Sequence, residues 1–289
     1  CTMKYSPKVH ERLAGSPKML HMHPLQPAKT AQGILEIMYK TGELFKSISG
    51  LDVFSVQPGG GSHGVLALAS VVRAYWRDRG EEAKRDEVIT TLFSHPADAA
   101  VPIVKGYKVT IIQPDSDGYP DIEAFKAALS DRTAAIFFTN PEDTGIFNVR
   151  IKEFTRLAHE KEVLCCYDQA NANGLLGITR TAEADFDMSF FNLHKTFSAP
   201  HGCGGPATGM VAARKELRPY MPVPLVEYSP EKGYYLDFDL PKSCGKIKSF
   251  WGVIPVVLKA YSWIMTLGAE GLEEVSRVAI LNNNYCMKK

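Results

Sequence analysis

Charge of one sign is the first thing this sequence lacks. It carries 33 Lys and Arg against 32 Asp and Glu, a formal net charge of +1. That balance leaves no basic field for nucleic acid or for an anionic membrane surface. No apolar run approaches the roughly 18 residues of a membrane span. Cysteine is sparse: Cys1, Cys165, Cys166, Cys203, Cys244 and Cys286 show no C-x-x-C spacing and no dense framework. A disulfide scaffold is therefore excluded, and reduced thiols in a reducing compartment are expected. There is no internal repeat and no low-complexity segment. No Gly-Lys-Ser/Thr ending marks a nucleotide P-loop, and no glycine spacing marks a dinucleotide site. His21 and His23 form an H-x-H pair, but no carboxylates or cysteines are spaced to complete a shell, so no metal is expected. The first residue is Cys1 rather than Met, so the chain is expected to be processed or to be a piece of a longer one.

What is present is an ordinary globular composition: 289 residues, 45% hydrophobic and 22% charged, enough for a sizeable core. Strand-like runs recur at 53–57, 88–92, 108–113, 134–139, 163–167, 188–193 and 209–213. Amphipathic stretches lie between them. In 65–76, for example, Val65, Leu68, Ala69, Val72 and Trp76 share one face. Strand–helix alternation with near-continuous apolar strands predicts an α/β fold whose mainly parallel sheet is buried on both sides. Residues 30–47 read as a helix, 1–29 as an extended arm, 220–248 as irregular and 256–285 as helical. The expected organisation is an N-terminal arm and helix over 1–50, a large α/β domain over 51–250, and a helical start of a further domain over 251–289.

Polar residues close the apolar runs: Gln57, His95, Asn140, Asp168, and His194 with Lys195. In open α/β sheets ligands bind beyond the carboxyl ends of the strands, so these side chains are expected to meet in one crevice. Lys195 stands out, because it follows the apolar stretch 186–193 and opens the glycine-rich loop 200–206. An amine desolvated at a strand end is nucleophilic toward carbonyls, which suits a Schiff base with pyridoxal phosphate. Asp168, 27 residues earlier, can keep the pyridine nitrogen protonated; the commoner role of such an Asp is a turn or helix cap. The turn Gln57-Pro58-Gly59-Gly60-Gly61-Ser62-His63-Gly64 brings backbone N–H groups toward an anion, with Ser62 as an expected helix cap. A tight turn that simply needs glycine explains it about as well. His95 suits stacking on a cofactor ring or a satisfied position before a proline-started helix. His63, His194 and His201 suit phosphate, substrate or proton transfer, or local hydrogen bonding. Cys165 and Cys166 read as core residues on opposite faces of one strand, and Cys203 as a small filler.

Taken together these motifs resemble a known family. Asn192-Leu193-His194-Lys195-Thr196-Phe197, followed by Pro200-His201-Gly202-Cys203-Gly204-Gly205-Pro206, is similar to the cofactor-lysine signature of the glycine cleavage system P-protein, in its second (β) subunit. Cys1–Tyr5, His23–Pro27, Gln57–Gly64, Thr139-Asn140-Pro141 with Thr144-Gly145, Tyr167-Asp168 with Ala170, Asn171 and Asn173, and Pro241-Lys242-Ser243 follow in family order. The resemblance implies a fold-type I, aspartate aminotransferase-like enzyme that uses pyridoxal 5'-phosphate. It implies Lys195 as the Schiff-base lysine, Asp168 as the pyridinium partner and His95 as the stacking and catalytic histidine. Gly61 and Ser62 become phosphate-loop residues, with Ala170, Asn140 and His201 around the cofactor and His194 beside the reacting centre. It further implies that glycine forms an external aldimine, loses CO2, and passes its aminomethyl group to the lipoyl arm of H-protein. The expected partners are glycine, lipoylated H-protein, and a P-protein α subunit in an α2β2 assembly or a second copy in a homodimer. The compartment implied is a prokaryotic cytoplasm, or the mitochondrial matrix in a eukaryote.

The departures are local. Pro96-Ala97-Asp98 follows His95 at once, where the family has a Gly-Thr-Asn insertion, so a remodelled loop is expected beneath the cofactor. Val65 stands for a glutamate, Gln169 and Cys203 for glycines, and Val253-Ile254-Pro255 for a different turn. Family members extend past both ends of this chain, which is expected to be truncated. These differences leave two alternatives beside the glycine enzyme. One is another fold-type I decarboxylase or aminotransferase with a different amino acid substrate. The other is a catalytically silent paralogue, against which Lys195 itself argues.

Overall fold

A computed structural model describes residues 5–201 and 205–289. The chain opens with two short helices, α1 (Lys8–Ala14) and α2 (Pro17–Leu20), and a 3-10 turn, then α3 (Gln32–Ser49). Thereafter strands and helices alternate: β1 (Val53–Ser55), α4 (Gly61–Asp78), β2 (Glu87–Thr91), α5 (Pro96–Val104), β3 (Lys108–Ile112), α6 (Ile122–Ala128), β4 (Thr133–Thr139), α7 (Ile151–His159), β5 (Leu164–Gln169), β6 (Met188–Asn192) and β7 (Gly209–Ala213). A hairpin, β8 (Leu225–Ser229) with β9 (Gly233–Asp237), precedes α8 (Ile254–Lys288), which is broken at Gly268.

All seven expected strands form, with ends shifted by two residues at most. They join one sheet in the order β1-β7-β6-β5-β4-β2-β3, parallel except for β7, which runs antiparallel to both neighbours. Parallel pairing needs crossovers, and the intervening helices supply them, save between β5 and β6, where a loop with one 3-10 turn (Ala182–Ala184) makes the crossing. Burial on both sides holds for β4, β5, β6 and β7, but β3 is an edge strand and mostly exposed. Two other expectations fail. The arm contains α1 and α2, and the irregular stretch contains the β8–β9 hairpin, whose Tyr228 and Tyr234 rings pack 4.9 Å apart.

Three apolar clusters hold the layers. One lies between the sheet and α4, a helix buried almost all round because it packs on β6, β7 and α5. Its Trp76 donates an indole N–H to the Ala134 carbonyl at 3.0 Å, and the Arg85 guanidinium sits 4.2 Å from the indole ring. A second cluster, with Phe125, Phe138 and Phe154, lies under α6 and α7. The third joins α3, α8 and the segment after β5, with Phe45, Phe191 and Phe197 at its centre. It crosses both expected domain boundaries, near residues 50 and 250, so these helices share a core with the sheet. Cys165 and Cys166 do point to opposite faces, one into each of two clusters. Among the described residues no helix is long and apolar enough to cross a membrane.

Candidate active site at the carboxyl ends of the strands

Every strand-end residue singled out from sequence lies at the carboxyl edge of the parallel strands. The register brings the pieces together: Thr139 of β4 pairs with Asp168 of β5, and Asp168 with Phe190 of β6. Neighbouring strands lie only about 4.8 Å apart, so Thr139 and Asp168 project side by side.

The glycine turn after β1 is closed onto β7 by Gly209 N–H to the Pro58 carbonyl at 2.7 Å, and by the Thr208 hydroxyl, which bonds the Val56 and Pro58 carbonyls. A Cβ at Gly61 would lie 2.9 Å from Asn192 Nδ2, and one at Gly64 would lie 2.7 Å from the Phe190 ring. The glycines are thus needed for close packing of α4 on β6. Ser62 does not cap the helix: the N-cap is Gly60, which offers no side chain, and Ser62 falls inside the first turn. The leading N–H groups of α4 are left for an anion. His63 serves the turn itself, accepting from Gly59 N–H at Nδ1 (3.1 Å) and donating from Nε2 to the Ile247 carbonyl (2.9 Å). Burial holds its pKa down, consistent with a neutral ring.

His95 caps α5. Its Nδ1 accepts from Ala97 N–H at 3.1 Å, and its backbone N–H donates to Thr139 Oγ1 at 3.0 Å. Pro96 occupies the first helical position, where a missing N–H costs nothing. Asp168 lies within β5 rather than after it, and is 5% exposed. Its Oδ1 accepts from Ala170 N–H at 2.8 Å, so the turn role and a ligand role coexist. Burial pushes the Asp168 carboxyl up to about 6, against the Ala170 bond and the fields of His95 and Lys195.

Lys195 sits on a turn three residues past β6. The turn is fixed by Lys195 N–H to the Asn192 carbonyl, by Ala172 N–H to Thr196 Oγ1 at 2.9 Å, and by Ser198 in the left-handed region (φ 62°). The lysine is half-buried, less enclosed than its apolar approach suggests, because the turn lifts it off the strand. His194 is buried, with Nδ1 donating to the Thr208 carbonyl at 3.2 Å and its ring 4.4 Å from that of His201. Desolvation lowers its pKa to about 4, so it is neutral near pH 7. His201 also contacts the Gly205 carbonyl. Gly202, Cys203 and Gly204, like residues 1–4, lie outside the described residues.

Asn140, followed by a cis proline, has its amide engaged at both ends by the Asn148 backbone, so it shapes the rim of the crevice. Four residues here were not singled out from sequence. Asn192 is buried with Oδ1 unpartnered among the described residues. The Lys248 ammonium lies 3.3 Å from where a Gly59 Cβ would be, bringing a cation to the glycine turn. Asp98 and Glu142 are buried acids, and burial raises both. A separate cavity of about 330 Å³ between α3, β1 and β8 includes none of the site residues.

The aminotransferase class-V family profile matches residues 60–226, from the glycine turn to the start of β8. The chain belongs to the class-V aminotransferase family. Class-V aminotransferases are fold-type I enzymes, and pyridoxal phosphate is their cofactor. The chain is 43% identical over 290 residues to a probable glycine dehydrogenase (decarboxylating) subunit 2 of Pyrococcus abyssi, covering 100% of this chain and 58% of that one. It is 44% identical over 289 residues to the protein of that name in Caldanaerobacter subterraneus, covering 100% and 59%. The chain therefore spans a little over half the length of these curated relatives. Among solved structures, inhibitor-bound glycine decarboxylase (P-protein) of the glycine cleavage system superposes with a TM-score of 0.74 at 22% identity, covering 93% of this chain and 61% of that one. A Lactobacillus brevis glutamate decarboxylase gives 0.72 at 11% identity, covering 96% and 64%. These likenesses establish the fold.

The class-V cofactor fits the residues present. The cradle that Cβ atoms would fill at Gly59 and Gly61, the uncapped start of α4 and the Lys248 cation match a phosphate. The buried Asp168 matches a ring nitrogen that must stay protonated, and Lys195 supplies the amine.

Proposed function

We propose that this chain is the cofactor-bearing part of a decarboxylating glycine dehydrogenase, subunit 2. It would act on glycine and pass the aminomethyl group to lipoylated H-protein. The observation that carries the reading is the convergence of Lys195, Asp168 and His95 on one strand-end crevice. It occurs in a chain that aligns throughout its length with relatives bearing that name.

Pyridoxal phosphate, when bound, supplies an aldehyde that amines can engage and a ring that withdraws the electron pair left by a departing carboxylate. The protein's part is placement and charge. Lys195 presents its amine from a turn pinned at Thr196 and Ser198, so its reach is set by backbone that cannot slide. Asp168 remains ionised near neutral pH and would hold a proton at the ring nitrogen. His95 is oriented by its cap bond so that Nδ1 faces Ala97 and the ring plane is fixed. The α4 N-terminus at Gly61 and Ser62, with Lys248 beside Gly59, takes the phosphate charge. His194 is neutral and oriented by its Nδ1 bond to the Thr208 carbonyl, beside Lys195. Ala170 bonds the Asp168 carboxyl through its N–H, and the His201 ring lies against that of His194. A partner α subunit or a second copy is part of this reading, as the relatives' designation "subunit 2" suggests.

The test has two arms. Adding pyridoxal phosphate to the protein should give a visible absorbance band that Lys195→Ala abolishes. With lipoylated H-protein and the partner subunit, the full-length enzyme should exchange label between bicarbonate and the carboxyl of glycine. A Lys195-dependent band without exchange would overturn glycine as the substrate and leave the cofactor assignment standing.

A further inference from the structure

Asp98 is the least expected side chain in the crevice. It lies in the first turn of α5, where an acid normally faces water and favours the helix dipole. Here it is 0% exposed. The short connection from His95 into α5 turns this residue inward over the ends of β4 and β5. Its Oδ2 accepts from Thr139 Oγ1 at 3.0 Å, and Thr139 is the register partner of Asp168. The Thr139 bond and the register pair set the Asp98 carboxyl beside that of Asp168, whose charge acts on it. Its second oxygen, Oδ1, is buried with no donor among the described residues.

Two carboxylates in contact inside a protein cannot both stay ionised, so one proton is shared between them. The surroundings decide where it resides. Asp168 receives the Ala170 N–H and faces His95 and Lys195, all of which favour its charged form. Asp98 receives one hydroxyl, while Asp168, Asp143 and its own burial disfavour charge; the nearby Cys166 thiol is itself held neutral by burial. An oxygen without a donor ceases to be unsatisfied once it carries a proton and donates it.

We infer that Asp98 is a neutral carboxylic acid whose Oδ1 hydroxyl donates to the Asp168 carboxylate and fixes that carboxylate in the crevice. A hydrogen-bonded chain then runs from the His95 backbone N–H to Thr139 Oγ1, from Thr139 to Asp98 Oδ2, and from Asp98 Oδ1 to Asp168. It ties the residue expected on one side of a cofactor ring to the residue expected at its nitrogen. Asp98 is thus a positioning residue. What Asp168 then holds in place rests on the function proposed above; the protonation state does not.

Infrared spectroscopy of the cofactor-free protein with isotope-labelled aspartate tests this directly. At pH 7 one protonated-carboxyl stretch is expected in the wild type and in Asp168→Asn, and none in Asp98→Asn. Absence of the band in the wild type, or its survival in Asp98→Asn, overturns the assignment. For positioning, Asp98→Asn keeps a donor and should bind pyridoxal phosphate within about threefold of wild type, whereas Asp98→Ala should bind about tenfold more weakly. Equal affinity of all three, or equal loss in both variants, overturns that role. Failure of the wild type to bind the cofactor at all would defeat the proposed function, while the infrared result would still decide the proton's place.

Discussion

Replacing Gly64 by alanine should destabilise this protein, although the same change at Gly42 should stabilise it. Alanine is favoured over glycine in a helix interior by about 1 kcal/mol. At Gly42, in the middle of α3, the new Cβ would meet the Phe54 side chain at 3.6 Å, an ordinary contact, so Gly42→Ala should gain most of that amount. At Gly64 the new Cβ would lie 2.7 and 2.8 Å from two Phe190 ring carbons and 3.2 Å from its Cβ. Carbon atoms rest about 3.5–4.0 Å apart, so the ring or the helix must yield by close to an ångström. Phe190 is 1% exposed in the middle of β6 and has nowhere to go. Overpacking of this kind costs about 1–3 kcal/mol, and the upper half of that range applies to an immobile ring. The net loss for Gly64→Ala is then about 1–2 kcal/mol, some 2–3 kcal/mol below Gly42→Ala. Denaturant unfolding of the two variants beside wild type measures this. Because α4 begins at the glycine turn, the displaced helix should also bind pyridoxal phosphate more weakly. A Gly64→Ala protein as stable as wild type would refute the argument that α4 is seated on β6 through that glycine.

Asp168→Asn should raise cofactor-free stability at pH 7–8. The folded carboxyl is pushed up to about 6 from an ordinary 3.8, so its ionisation costs stability as pH climbs through that window. The gain, at most about 3 kcal/mol, should vanish below pH 4 in unfolding midpoints taken across pH. A pH-independent difference would count against it. Glu142→Gln should act in the same direction, because burial raises the Glu142 carboxyl above its ordinary 4.5. Its advantage should be present at neutral pH and disappear as pH falls below that value. Thr139→Val removes the partner of both the His95 N–H and the buried Asp98 Oδ2, and should cost about 2–4 kcal/mol in chemical unfolding. A loss under about 0.5 kcal/mol would show that those groups find other partners.

Much of the sheet was readable because buried strands are nearly continuous apolar runs that end in polar residues. The β8–β9 hairpin escaped that reading. Among the described residues its strands pair with each other alone and alternate weakly, and Pro230 and Gly233 break the stretch. The helices α1 and α2 are one or two turns long without side-chain caps, which leaves no periodicity to detect. In the site, Lys195, Asp168, His95 and the glycine turn were visible as strand-end residues. Asn192 looked like one more residue of a signature and Lys248 like a surface charge. Asp98 looked like a first-turn helix acid, the commonest place for one. Glu142, after a cis proline, carried no signal at all.

By itself, then, the sequence determined which runs are the strands of the large sheet and in what order they alternate with its helices, because these are properties of local periodicity and composition. It also determined that an amine, a carboxylate and a glycine turn would share the carboxyl edge, since parallel strands leave no other place for their ends. Only the tertiary structure decided the charges. Register sets Thr139 beside Asp168, the short turn after His95 drives Asp98 inward, and burial sets the proton affinities of these acids. Those effects depend on distance and desolvation between residues far apart in the chain, and no local pattern encodes them.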